Sequence, residues 1–162
     1  MKIRMPIAVL LCSLSLVTCT PAPSEGGREI LIRLGTKQFG VGFDPEEVRI
    51  ANVDKIRIVF RNDVDPTWQM SHSVAIAVPG REQALIASLR HLPGDDHATH
   101  AALRGSPDIL AMTGSLEPGQ SEAIEFHPPG PGTYEYVCLV PGHADRLKMV
   151  GRLIVGQPVA TR

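Results

Sequence analysis

One segment constrains the fold of this chain more than any other, YEYVCLVPGHADRLKMVGRLIV, which runs from Tyr134 to Val155. Its two ends alternate as strands do, and Pro141-Gly142 predicts a tight turn between them. Strand parity directs Cys138 toward the face that carries the tyrosine rings, and it directs Met149 inward from the following strand. The turn should return His143 to the same place. A thiol, an imidazole and a thioether are therefore expected to meet at one edge of a sheet.

These three donor types favour copper. A thiolate, an imidazole and a thioether are soft or borderline ligands, whereas magnesium and calcium prefer oxygen. A blue-copper centre uses two histidines and a cysteine in one plane, with a long axial methionine. The second histidine is predicted to be His72, because it shares parity with Val74 and Ile76 at the start of an alternating strand, MSHSVAIAV.

The sequence from Arg28 to Val155 resembles the small blue-copper proteins of the cupredoxin family, nearest to its azurin, auracyanin and rusticyanin branch. The motifs that carry the resemblance are FDPEEVRI, DKIRIVFRND, MSHS, LAMTGSLEPGQSEAIEFHPPGPGTYEYVC, PGH and M-V-G-x-L. The resemblance implies one type 1 copper per chain, with ligands His72, Cys138, His143 and Met149. It also implies an all-β fold, a cupredoxin-type Greek-key β-sandwich with a short helical insertion.

Two departures from the family pattern concern the ligand loops. Five residues, Ala144 to Lys148, separate His143 from Met149, more than family loops usually leave. Ser73 follows the first histidine, where the family commonly has an asparagine that ties the two loops together. These departures affect the axial bond and the hydrogen bonding around the cysteine sulfur, and both features influence a redox potential.

The rest of the domain is predicted to be mostly short strands. Alternating runs separated by Gly, Pro, Asn and Asp indicate a β-sandwich, and they are centred on 30–34, 48–50, 56–60 and 124–126. Residues 81–92 instead have apolar residues at helical spacing, and a second helical piece follows at about 97–104. This helical flap, about 81–104, is expected to lie against the sandwich, away from the copper. His97 and His100 would share a face of its second helix, which we interpret as solvated.

The amino-terminal region predicts export. Lys2 and Arg4 precede an apolar run that is too short to span a bilayer permanently, so residues 1–19 are interpreted as an export signal. Residues 16–19 resemble a bacterial lipobox, and both lipidation of Cys19 and ordinary cleavage nearby remain open. Residues 20–27 predict a flexible tether, and residues 28–157 a single domain. The mature protein is expected in the periplasm or on the outer face of the cell membrane, with Cys19 as its anchor if lipidated.

Charge and cysteine content narrow the function. Removal of the signal takes two cations and no acid from 16 Lys+Arg and 17 Asp+Glu, which leaves 14 cations against 17 acids and no basic footprint for nucleic acid. Cys12 and Cys19 lie within the signal, so Cys138 is the only thiol expected in the domain. An unpaired thiol in an oxidising compartment is reactive unless it is buried or bound to a ligand. Binding of a metal ion would protect the Cys138 thiol in this way.

The ligand set predicts a monomeric electron-transfer protein and not an enzyme. Its partners would be redox proteins such as c-type cytochromes or terminal oxidase or reductase complexes. The exposed edge of His143 is the expected electron port, inside an apolar rim of Leu139, Val140, Pro141 and Leu147. An envelope copper-binding or delivery protein would use the same ligands and remains the alternative. A Cys138-His143 nucleophile pair is disfavoured, because no third residue is evident to orient it.

Overall fold

The computed structural model describes residues 28–92 and 94–156, so the predicted signal, the tether and residue 157 lie outside it. Nine strands, two α-helices and one short 3-10 helix (Pro66–Trp68) follow one another within these residues. The strands are β1 (Glu29–Thr36), β2 (Phe43–Asp44), β3 (Glu47–Ile50), β4 (Lys55–Arg61), β5 (Ala75–Ala77), β6 (Ile109–Met112), β7 (Ser121–Phe126), β8 (Gly132–Val137) and β9 (Val150–Val155). The helices, α1 (Glu82–Leu89) and α2 (Asp96–Leu103), both lie between β5 and β6.

The strands form two sheets that face each other. One sheet has the order β2-β1-β4-β7 and the other the order β3-β9-β8-β5-β6. β1 pairs with β4 in parallel, as β3 does with β9, so distant parts of the chain lie side by side in both sheets. The predicted sandwich of short strands is present, and the helical segment interrupts it where the sequence indicated.

The main core lies between the two sheets. Inward residues of β1, β4 and β7 pack against those of β8 and β9, including Ile56, Phe60, Tyr134 and Leu153. Gly151 lies opposite Tyr136 in the β8–β9 ladder, and a Cβ atom at that glycine would collide with the tyrosine ring. The glycine of the M-V-G-x-L motif therefore lets an aromatic ring pack flat on the neighbouring strand.

A second apolar cluster lies on the other face of the five-stranded sheet. Leu85 and Leu89 of α1 and Leu103 of α2 pack there with Val137 and Leu139, which flank Cys138. Because the helices cover this face, β5 is buried on both sides, and its sequence AIA has no polar position. Asp95 caps α2 by accepting a hydrogen bond from the backbone amide of His97 at 2.9 Å. Within residues 28–92 and 94–156, no helix is long and apolar enough to cross a membrane.

Candidate metal centre

Three of the four predicted ligands converge at one end of the sandwich. Cys138 Sγ lies 3.5 Å from His143 Nδ1 and 3.8 Å from His72 Nδ1. The three donor atoms lie within 4.8 Å of one another. Atoms that share one ion at usual metal–nitrogen and metal–sulfur distances of about 2.0–2.3 Å lie roughly 3 to 4 Å apart, so the two sulfur–nitrogen distances fit a single ion.

The segment before β5 holds His72 through its backbone. Its amide donates to the carbonyl of Leu116 at 3.0 Å, and the Leu116 amide donates back at 2.8 Å. The amide group of Asn62 donates to the carbonyls of Met70 and Leu116, each at 2.9 Å. Sequence reasoning missed Asn62, and its only signal was a polar residue directly after the buried strand β4. The Asn62 side chain is fully buried, and it hydrogen-bonds both to the segment before His72 and to the segment that pairs with His72.

The loop between β8 and β9 positions the other ligands. The His143 amide donates to the Val140 carbonyl, and the Met149 amide donates to the His143 carbonyl, both at 3.0 Å. The Cys138 amide in turn donates to the Met149 carbonyl at 3.2 Å. Lys148 takes a left-handed conformation, with φ of 57°, just before the strand resumes. The chain thus turns at Lys148 before it enters β9. Met149 is fully buried in the same core as Cys138, as the strand parity of Met149 predicted.

Ser73 joins the two ligand segments. Its hydroxyl accepts a hydrogen bond from the Leu139 amide at 3.0 Å and lies 3.9 Å from Cys138 Sγ. Its own amide points at the same sulfur from 3.5 Å. The serine therefore makes the kind of link between the ligand loops that the resemblance assigns to an asparagine.

Burial sets the proton states of the donors. It lowers the pKa of His72 to about 4, with the neighbouring His143 as a second cause. Burial also lowers the pKa of His143 and raises the pKa of Cys138 to about 11. Both imidazoles are consequently neutral at neutral pH, and each has one nitrogen with a free lone pair. A metal that binds here must displace the thiol proton of Cys138.

The helical flap reaches closer to this centre than the sequence suggested. Asp96, in the first turn of α2, accepts a hydrogen bond from Ser115 Oγ at 3.1 Å. Its negative charge opposes the lowering of the His143 pKa by burial, and it adds to the rise that burial causes in the pKa of Cys138. The expectation that both helices lie away from the copper is therefore wrong for the start of α2. His100, expected on a solvated face, is buried with its Nδ1 2.6 Å from the Asp96 carbonyl oxygen.

The predicted apolar rim around His143 is only partly present. Leu139 is fully buried and Val140 is 7% exposed, because both side chains turn into the apolar clusters on either side of the sheet. Leu147 is 38% exposed and Pro141 is half-buried, so these two residues remain at the surface. The sequence pattern did not show which loop residues turn inward, since they follow one another without strand alternation.

Comparisons with known proteins find auracyanins and a cuproprotein among the proteins similar to this chain. No protein-family model matches the chain. Auracyanin-B of Chloroflexus aurantiacus is 47% identical over 38 residues, which are 24% of this chain and 16% of that protein. Auracyanin-A of the same organism is 24% identical over 131 residues, 81% of this chain and 77% of that protein. The copper-resistant cuproprotein CopI of Rubrivivax gelatinosus is 25% identical over 113 residues, 70% of this chain and 59% of that protein.

Solved structures share the fold. An auracyanin from Roseiflexus castenholzii superposes with a TM-score of 0.60 at 25% identity, over 78% of this chain and 97% of that one. Auracyanin A, described as a "blue" copper protein, has a TM-score of 0.59 at 24% identity, over 79% and 99%. An azurin from Methylomonas sp. strain J has a TM-score of 0.61 at 16% identity, over 78% and 98%.

The fold, the donor set and the relatives agree. The predicted cupredoxin Greek-key sandwich with a helical insertion is confirmed by these structures. Blue-copper relatives and the cluster of His72, Cys138 and His143 support one copper ion per chain. The chain thus has the cupredoxin fold, and it is similar in sequence and structure to the auracyanins.

Proposed function

We propose that this chain carries single electrons through one copper ion held by His72, Cys138 and His143, with Met149 as the axial ligand. The observation that carries the proposal is that two imidazole Nδ1 atoms face one buried thiol sulfur at 3.5 and 3.8 Å. Copper bound by such a set supplies a one-electron couple. The auracyanin and azurin relatives indicate a carrier and not an enzyme.

The protein residues contribute rigidity and the exclusion of water. His72 and Cys138 are fully buried, and Asn62 and Ser73 fix the segments that carry them. Donors that are already in place before the metal arrives need little rearrangement when its charge changes. His143 is half-buried, so its outer edge offers the shortest path between the centre and a partner.

The proposed setting is the cell envelope. Its support is the signal-like pattern of residues 1–19, which lie outside the described residues. The proposed partners are envelope redox proteins, such as c-type cytochromes or terminal oxidase or reductase complexes, that meet a monomer transiently. Attachment through a lipidated Cys19 would keep the carrier at the membrane surface. Mass spectrometry of the exported protein tests the anchor, and an unmodified amino terminus would exclude it.

Optical spectroscopy of the copper-loaded protein tests the proposal directly. Strong orange-red absorption from thiolate-to-copper charge transfer is expected in the wild type. The absorption should be lost in Cys138→Ser and kept in the control His97→Ala, which alters an exposed histidine of α2. A colourless wild-type protein that holds one equivalent of Cu(II) would contradict the proposed centre.

Copper delivery is the second candidate, and one observation favours it. The relative CopI is named a copper-resistant cuproprotein, and it aligns over 70% of this chain. A carrier keeps its metal through repeated oxidation and reduction, whereas a delivery protein releases it. A redox titration in the presence of a copper chelator separates the two. A reversible couple without metal loss supports electron transfer, and ready release to the chelator supports delivery.

A further inference from the structure

A tight turn covers the ring of His72. Within residues 37–42, the Gly40 amide donates to the Lys37 carbonyl at 2.8 Å, and the Lys37 amide donates to the Gly42 carbonyl at 3.0 Å. Gly40 is buried and has a φ of +72°, a region that favours glycine. Its neighbour Phe39 is 66% exposed and its ring contacts Trp68 at a centroid distance of 6.3 Å. The turn therefore has an apolar outer side and a glycine on its inner side.

The inner side of the turn lies close to the far edge of the His72 ring. A Cβ atom at Gly40 would lie 3.2 Å from His72 Nε2 and 2.7 Å from Met70 Sδ. The first distance is tighter than ordinary van der Waals contact, and the second is a clash with the end of a flexible side chain. Only a residue without a side chain leaves room for the ring in its present position.

The ring has no other evident support on that edge. Metal-binding histidines almost always donate their second ring N–H to a carboxylate, a carbonyl or water, and this bond fixes the ring orientation. Among the described residues, no group hydrogen-bonds to His72 Nε2, although the atom is buried. The ring packs against the His143 ring at a centroid distance of 4.8 Å, and the Gly40 backbone is the close neighbour at Nε2.

We infer that Gly40 is a positioning residue for the copper centre, because its missing side chain lets the 37–42 turn press on His72 Nε2 and hold Nδ1 toward Cys138. The predicted effect of Gly40 on bound copper rests on the proposed function. The contact itself is a property of the polypeptide and can be measured separately.

The first experiment uses the wild-type protein in a diamagnetic state, either metal-free or loaded with Cu(I). Nuclear Overhauser effects are expected between the Gly40 α-protons and the ring protons of His72. Their absence, with the ring signals assigned, would overturn the inference whatever the optical spectrum shows. Their presence in a protein that lacks blue absorption would instead leave the contact in place and contradict the proposed function.

The second experiment compares four variants with the wild type: Gly40→Ala, Met70→Ala, the double variant Gly40→Ala with Met70→Ala, and Gly105→Ala. Gly105 has a φ of +79° and nothing within 4 Å of an added Cβ atom, so it matches the backbone strain without the contact. The double variant removes the Sδ clash and leaves the approach to His72. If Gly40→Ala alone does not fold, the double variant can still be compared with Met70→Ala.

The measurements are the charge-transfer bands, the copper hyperfine splitting and the copper affinity. Relative to Met70→Ala, the double variant should show shifted bands and an affinity about tenfold weaker, the size usual for a residue that supports a ligand. Gly105→Ala should lose stability but keep the wild-type spectrum. If the double variant matches Met70→Ala in all three measurements, the glycine serves Met70 or the turn alone, and the inference is wrong.

Discussion

Ser73 and Cys138 are linked twice, by the Ser73 amide at 3.5 Å and the Ser73 hydroxyl at 3.9 Å from the sulfur. The hydroxyl also accepts from the Leu139 amide at 3.0 Å, so one small side chain connects the His72 and Cys138 segments. Hydrogen bonds to a ligating sulfur draw electron density from it, which tunes the potential of the bound metal. The position after the first histidine is thus part of the electronic environment of the site.

Ser73→Ala should lower both stability and reduction potential. The buried Leu139 amide would lose its acceptor, at a cost of about 1 to 3 kcal/mol. The thiolate would lose a donor, which favours the oxidised metal. Urea unfolding of the copper-free protein and a redox titration of the loaded one measure the two effects. An unchanged potential would show that the hydroxyl does not act on the sulfur.

Met149→Leu should raise the reduction potential and alter the charge-transfer spectrum. The substitution conserves volume, so the stability change should stay below about 1.5 kcal/mol. Loss of a weak axial thioether favours reduced copper. Met112→Leu, which changes a half-buried methionine of β6, is the matched control. If the two variants behave alike, Met149 is core packing and not a ligand.

Asp96→Asn should raise the potential as well, for a different reason. The carboxylate at the start of α2 is a negative charge near His143 and Cys138, and it stabilises the more positive oxidised centre. Asparagine can still accept from Ser115 through its oxygen, so the local structure should remain. Glu125→Gln on β7 removes a charge from the other sheet and should leave the potential unchanged. The difference should shrink as salt is added.

Leu147→Glu should slow electron exchange with the partner severalfold while the blue absorption stays intact. The side chain is exposed close to the His143 turn, where a new charge would oppose docking of an apolar face. Leu31→Glu is the control, since Leu31 is 49% exposed on β1 of the four-stranded sheet. The exchange rates are measured by stopped flow. Equal rates for the two variants would mean that the partner does not dock at the surface around His143.

Copper-free protein should lose stability as the pH falls from about 6.5 to about 4. Burial lowers the pKa of His72 from 6.5 in its ordinary state to about 4 in the fold. The unfolded chain therefore binds this proton first, so acid favours unfolding over that interval, by up to about 3 kcal/mol. His72→Asn should show a shallower pH dependence than wild type in urea titrations. Parallel slopes would mean that the folded histidine titrates normally.

The sequence by itself determined the strand alternation, the inward direction of Cys138 and Met149, and the helical spacing between β5 and β6. These features follow from local rules, because side chains alternate along a strand and recur along a helix. The donor set was also readable, since a thiol, an imidazole and a thioether in one turn limit the choice of metal.

Only the tertiary structure decided which residues support those donors. Asn62, Gly40 and Asp96 approach the centre from the end of β4, from the 37–42 turn and from α2. No spacing along the chain relates them to Cys138. The burial of Leu139 and Val140 depended in the same way on clusters assembled from distant strands and helices. Local periodicity fixes the direction of a side chain relative to its own backbone, whereas its surroundings depend on how the two sheets and the flap pack together.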